Sequence, residues 1–133
     1  MNETQKISES ERESLIAAYI ERYSRLTSLS PEKVFNDIDI NYWAYEKLDD
    51  LVKHAPNIAF ELVVQIADRT ENENVLDNLS AGPLEDLIRL HGPTFIDKIE
   101  EISRNNDKFK DVLRGVWQVG NPEIWERIVR ASN

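Results

Sequence analysis

The chain has 133 residues and a formal net charge of −9 at pH 7, with 41% hydrophobic residues, 31% charged residues and no cysteine. That length suits one domain around a single core, and an apolar content that includes three Trp, four Tyr and four Phe excludes wholesale disorder. Without cysteine there is no disulfide framework, no thiolate metal site and no thiol nucleophile.

Residues 1–7 read as a frayed tail, and Met1 to Arg12 is polar and acidic with no apolar stretch of the kind that secretion signals carry. No apolar run approaches the roughly 18 residues that a membrane span needs, so the sequence predicts a cytoplasmic protein without membrane contact. Ser8 and Glu11 form a Ser-x-x-Glu capping box. From it Leu15, Ile16, Tyr19, Tyr23 and Leu26 recur at three- and four-residue spacing, which predicts an amphipathic helix ending near Ser28. Ser30 and Pro31 then read as a cap and first turn for a short helical piece through Val34 and Phe35. Residues 8–38 are expected to act as N-terminal capping helices.

Asp39 to His54 carries Tyr42, Trp43, Tyr45, Leu48, Leu51 and Val52. Pro56 opens the next helix, with Ala59, Leu62, Val63, Ile66 and Ala67 on one face. A polar loop from Asp68 to Asn74 leads to a short helix carrying Val75, Leu76 and Leu79, expected to stop at Gly82. Pro83 should begin another, with Leu84, Leu87 and Ile88 inward and Gly92 as its left-handed terminal residue. Phe95, Ile96, Ile99 and Ile102 continue at helical spacing until Asn105, Asn106 and Asp107 break the run. Phe109, Val112, Leu113, Val116 and Trp117 predict a penultimate helix. Ile124, Trp125, Ile128 and Val129 predict the last, capped by Asn121 with Pro122 in its first turn.

One phrase occurs twice. Leu48-Asp49-Asp50-Leu51-Val52-Lys53-His54-Ala55-Pro56 returns as Leu84-Glu85-Asp86-Leu87-Ile88-Arg89-Leu90-His91-Gly92-Pro93, with one residue inserted. The offset is 36 residues at the first leucines and 37 at the prolines, a period that belongs to paired-helix repeats. The predicted fold is therefore all-α: about seven to nine helices stacked as antiparallel pairs in a short HEAT-like, α-solenoid-like domain spanning 1–133. Residues 39–106 would form two related units and 107–133 a C-terminal pair.

The stretch Leu79-Ser80-Ala81-Gly82-Pro83-Leu84-Glu85-Asp86-Leu87-Ile88, followed by His91-Gly92, Phe95-Ile96, Ile99-Glu100, Phe109 and Gly115-Val116-Trp117, resembles a family of small uncharacterised bacterial proteins. The similarity is densest over 75–117. It implies a bacterial, intracellular helical domain and brings no established activity with it.

Charge is unevenly placed. Residues 1–53 hold 11 acidic and 7 basic side chains, 54–106 hold 10 and 4, and 107–133 hold 4 and 5. An acidic middle repels nucleic-acid phosphates and steers a basic protein partner. No Gly-x-Ser-x-Gly elbow, Walker loop or dinucleotide fingerprint occurs, so no enzyme, catalytic residue or cofactor is expected.

The pair Glu85 and Asp86 with His91 could serve acid-base work, but their placement favours helix capping, with Glu85 capping from Gly82 and His91 at the opposite end. His54 and His91 occupy equivalent points of the two copies, too far apart to share a metal, so no metal site is expected. Trp117 and Trp125 are expected in the core, whereas Tyr42, Trp43 and Tyr45 point three ways around one helix, leaving at least one exposed or covered by a partner. The sequence thus predicts a non-catalytic, acidic protein-binding module, in one version an immunity or inhibitor protein for a basic partner. Its predicted binding residues are Trp43, Asp77, Glu85, Asp86, Asp97, Glu100 and Glu101. The alternative is a self-assembling homodimer joined through Tyr42 and Trp43 or the last helix pair.

Overall fold

The computed structural model describes residues 6–25 and 40–133, and all regular structure among them is helical. The helical piece expected from Ser30 to Phe35 lies outside the described residues. The elements are α1 (Glu9–Arg25), α2 (Tyr42–His54), α3 (Pro56–Asp68), α4 (Glu73–Leu79), a π turn (Ser80–Leu84), α5 (Glu85–Asn105), α6 (Asp107–Arg114) and α7 (Pro122–Ala131).

Several starts follow from side chains within four residues. Ser8 Oγ accepts from the Glu11 amide at 3.0 Å while Glu11 accepts from the Ser8 amide at 3.1 Å, completing the capping box. Asn72, Asn106 and Asn121 cap α4, α6 and α7. Pro56 and Pro122 occupy first turns, where their missing N–H costs nothing.

The core is organised around α3, whose Ala59, Phe60, Leu62, Val63, Ile66 and Ala67 are all buried. A helix this apolar on nearly every side must be enclosed, and α1, α2, α4, α5 and α6 all lie against it. Phe60 stacks on Phe95 with ring centroids 5.2 Å apart and meets Phe109 at 5.7 Å. In a solenoid each unit touches only its neighbours. Here contacts radiate from α3, and α1 itself lies against α2, α3 and α4.

The two copies of the phrase do share buried positions. Leu48, Leu51, Val52 and Ala55 of the first are buried, as are Leu84, Leu87, Ile88 and Gly92 of the second. Their breaks differ from expectation. Gly82 does not stop a helix: the chain passes from α4 through the π turn into α5, with Pro83 carried inside it. Proline lacks an N–H and clashes with the carbonyl four residues back; the wider π register relieves both constraints. Nor is Gly92 left-handed, since only Gly120 has positive φ among the described residues. The bend is at His91 (φ −134°, ψ 20°), so the residue before the Gly-Pro pair absorbs it.

Trp117 also departs from expectation. α6 ends at Arg114, Val116 turns inward, and Trp117 is left 81% exposed. The apolar spacing continued beyond the helix that would have given it meaning. Trp125 is half-buried against the core, as expected.

Charged groups then fasten the outer helices. Arg69 at the end of α3 grips Glu13 of α1 with two hydrogen bonds of 2.6 and 2.9 Å. Arg127 of α7 holds both Glu100, at 2.6 and 2.9 Å, and Asp97, at 2.7 Å, on α5. Among the described residues no helix is long and apolar enough to cross a membrane.

Candidate functional site

A cleft of about 300 Å³ opens where the two copies of the repeated phrase meet α1. The first copy contributes Leu48, Asp49 and Val52 from α2, with Tyr45 one turn earlier; the second contributes Asp86 from α5. α1 supplies Tyr19 and Tyr23, α4 supplies Asn78, and the π turn supplies Ala81, Gly82 and Pro83. Sequence explains the opening directly. Three consecutive residues with little side chain form that wall, and a Cβ built on Gly82 would meet no atom within 4 Å. Short π segments recur at functional sites.

The lining is mixed, somewhat more apolar than polar, and includes two carboxylates, each paired with a basic side chain. Asp49 accepts from Lys53 at 3.0 Å through Oδ2, and Asp86 accepts from Arg89 at 2.9 Å through Oδ1. Lys53 is raised above the usual lysine range chiefly by its hydrogen bond to Asp49, with the charges of Asp49 and Asp86 adding to it. Its ammonium therefore sits at the rim, in the field of both carboxylates.

Aromatic rings fill the other side. Tyr19 and Tyr23 lie four residues apart on α1 with ring centroids at 4.6 Å. Burial pushes the Tyr19 hydroxyl well above the usual tyrosine range, so it stays a neutral phenol. The Arg22 guanidinium lies over the rings of Tyr23, Tyr42 and Tyr45 at 5.0, 5.3 and 5.6 Å. Tyr42, Trp43 and Tyr45 are each 41–43% exposed, so the first turn of α2 presents all three aromatics at the surface.

The predicted binding residues do not form one constellation. Asp86 lines the cleft and Trp43 lies near it in sequence on α2. Asp77 is exposed on α4 and Glu101 on α5. Asp97 and Glu100 are gathered by Arg127, which holds the Glu100 carboxyl below the usual carboxylate range through its hydrogen bond.

Glu85 does not cap from Gly82, because no helix starts there; it is half-buried where the π turn passes into α5. His91 does stand at a helix end, at the kink that divides α5 in two, but its side chain bonds outside that helix. Its Nε2 donates to the Val52 carbonyl at 2.8 Å, since a carbonyl can only accept. His54, its counterpart, lies 3.7 Å from Asp50 at the surface. Among the described residues no group of three or more His, Asp or Glu could hold a metal.

Tyr19, Tyr23, Asp49 and Asn78 were missed by the sequence reading as site residues. The two tyrosines look like any apolar stripe in sequence. The available signal was the run Ala81-Gly82-Pro83, which leaves a wall unfilled.

Residues 32–133 match the model of a family of unknown function, DUF6869. The chain belongs to the DUF6869 family. No curated protein and no solved structure matches it. The DUF6869 segment contains both copies of the phrase and the π turn, whereas α1 precedes it, so Tyr19 and Tyr23 close the cleft from outside the matched region.

Proposed function

We propose that this DUF6869 protein is a non-catalytic binding module of the cytoplasm that engages a basic protein partner through the surface around the cleft. The observation that carries this reading is the first turn of α2, where Tyr42, Trp43 and Tyr45 stand exposed beside a cleft lined by Asp49 and Asp86. Exposed aromatics on a rigid helix supply contact area at low entropic cost, and carboxylates steer a basic partner. Asp77, Glu85 and Glu101 add long-range attraction, while Asp97 and Glu100 add less because Arg127 already neutralises part of their charge. An immunity or inhibitor protein that covers a basic toxin is one form of such a module.

The reading is tested by capturing partners from the source cells at low salt with the full chain and with Trp43→Ala. A partner retained by the native chain, released by salt and lost with Trp43→Ala supports it. Equal retention by both chains refutes it.

A second reading is supported by Trp117, whose 81% exposure on the link between α6 and α7 suits self-association through the C-terminal pair. Sedimentation of the native chain and Trp117→Ser decides it: a dimer that dissociates on substitution supports self-assembly.

A further inference from the structure

We propose that the pocket between α5, α6 and α7 is a binding site for a small phosphate-bearing anion, in function a phosphomonoester. Glu100 and Arg104 of α5, Lys110 of α6, Arg130 and Ala131 of α7, and Asn133 line about 300 Å³ there, and none of them lines the cleft. The pocket stands apart from the surface proposed above for a protein partner.

Three cations converge from three helices, in a chain with 25 acidic against 16 basic side chains. With acids in such surplus a guanidinium readily finds a carboxylate, and Arg12, Arg69, Arg89, Arg114 and Arg127 each hold one. Around this pocket the pattern fails. The Arg104 and Lys110 side chains make no hydrogen bond or ion pair among the described residues, and Arg130 comes no nearer than 3.7 Å to Glu126. The one acidic side chain in the wall is already spent, because Arg127 donates to both oxygens of Glu100 at 2.6 and 2.9 Å.

Helix dipoles explain part of the set. Arg104 and Arg130 stand in the last turns of α5 and α7, where cations meet the negative helix ends. Lys110 is half-buried in the middle of α6 and has no such role. An anion is what all three lack. A phosphomonoester carries roughly −1.5 to −2 charge at pH 7 and three strong acceptor oxygens, so it balances most of the three positive charges where a carboxylate balances one. Guanidinium forks also match phosphate geometry. A nucleic acid is disfavoured by the net charge of −9, which repels polyanions at long range, whereas about 300 Å³ admits a phosphate with a short organic stem.

The test is a titration of the full chain followed through its amide NMR signals, using sodium methyl phosphate, inorganic phosphate and sodium acetate at matched ionic strength. Methyl phosphate is expected to shift the Lys110, Ala131 and Asn133 amides saturably, with acetate at least about tenfold weaker. Arg104→Gln and Lys110→Gln should each weaken methyl phosphate binding about tenfold, and Lys110→Arg, which keeps the charge, should retain it. Lys6→Gln removes the same charge from an exposed residue ahead of α1, outside the pocket, and should change nothing.

Three results overturn the site: acetate binding as tightly as methyl phosphate, an Arg104→Gln/Lys110→Gln double variant that binds unchanged, or a loss in Lys6→Gln equal to that in Lys110→Gln. Inorganic phosphate separates the sources. Methyl phosphate binding at least as tightly supports a phosphomonoester. Inorganic phosphate binding tenfold tighter overturns that assignment and makes the free ion the ligand.

Discussion

His91 Nε2 donates a 2.8 Å hydrogen bond to the backbone carbonyl of Val52, joining the second copy of the repeated phrase to the first. In an uninterrupted helix that carbonyl would accept from the residue four positions on. That residue is Pro56, which has no N–H. The histidine thus satisfies an acceptor that the proline orphaned. Replacing His91 with Ala should destabilise the fold by about 1–3 kcal/mol, because the carbonyl is left without its partner. Urea denaturation measures this; a change below about 0.5 kcal/mol would show that water replaces the imidazole without loss.

Gly115 packs against Ser80 more closely than any other residue type would allow. A Cβ there would lie 2.7 Å from Ser80 Oγ, the same oxygen that donates to the Val112 carbonyl at 2.7 Å. Gly115→Ala should cost about 1–3 kcal/mol through overpacking. Combining it with Ser80→Ala should cost less than the two single changes together, since removing Oγ removes the clash. Additive losses in thermal unfolding would contradict this account.

Two other glycines should respond in opposite directions. Gly82 has open space at its Cβ and no positive φ, so Gly82→Ala is expected to be neutral or to stabilise by up to about 1 kcal/mol. Gly120 has φ +81°, and Gly120→Ala should destabilise by roughly 1–2 kcal/mol. Paired denaturation curves check both signs.

Glu100 should titrate below the usual glutamate range. Its hydrogen bond to Arg127 holds its carboxyl under the usual range, so the stabilisation it provides is fully present above the unfolded glutamate value of about 4.3. That contribution is lost as pH falls through the lower folded value. Carboxyl NMR should give Glu100 a lower midpoint in the native chain than in Arg127→Gln. Coincident midpoints in the two chains would mean that the ion pair does not persist in solution.

Trp117 should be the tryptophan most accessible to a soluble quencher, given its exposure beside the half-buried Trp125. Iodide quenching should fall sharply in Trp117→Phe, with stability changed by less than about 0.5 kcal/mol. Quenching unaffected by the substitution would place that side chain against protein, as in the self-associated form.

The amino-acid sequence by itself determined the helical class and most helix starts. Those depend on interactions spanning three or four residues: Ser8 with Glu11, Asn121 with the Ile124 amide, Pro56 in a first turn. It also marked the buried leucines of both phrase copies, because periodicity reports which face must leave water. Local rules failed at Gly82, where a residue that commonly ends a helix lies inside a helical path, while at Gly92 they missed only the conformation, since the helix does break there, at His91.

Tertiary structure alone decided the rest. Trp117 faces solvent because α6 ends three residues earlier, and Arg127 takes partners 27 and 30 residues away. The cleft needs tyrosines from α1, Asp49 from α2 and Asp86 from α5 around a π turn too slender to fill the space between them. Capping is a short-range energy written in neighbouring residues. A cavity is the volume that distant elements fail to fill, and no single stretch of sequence contains it.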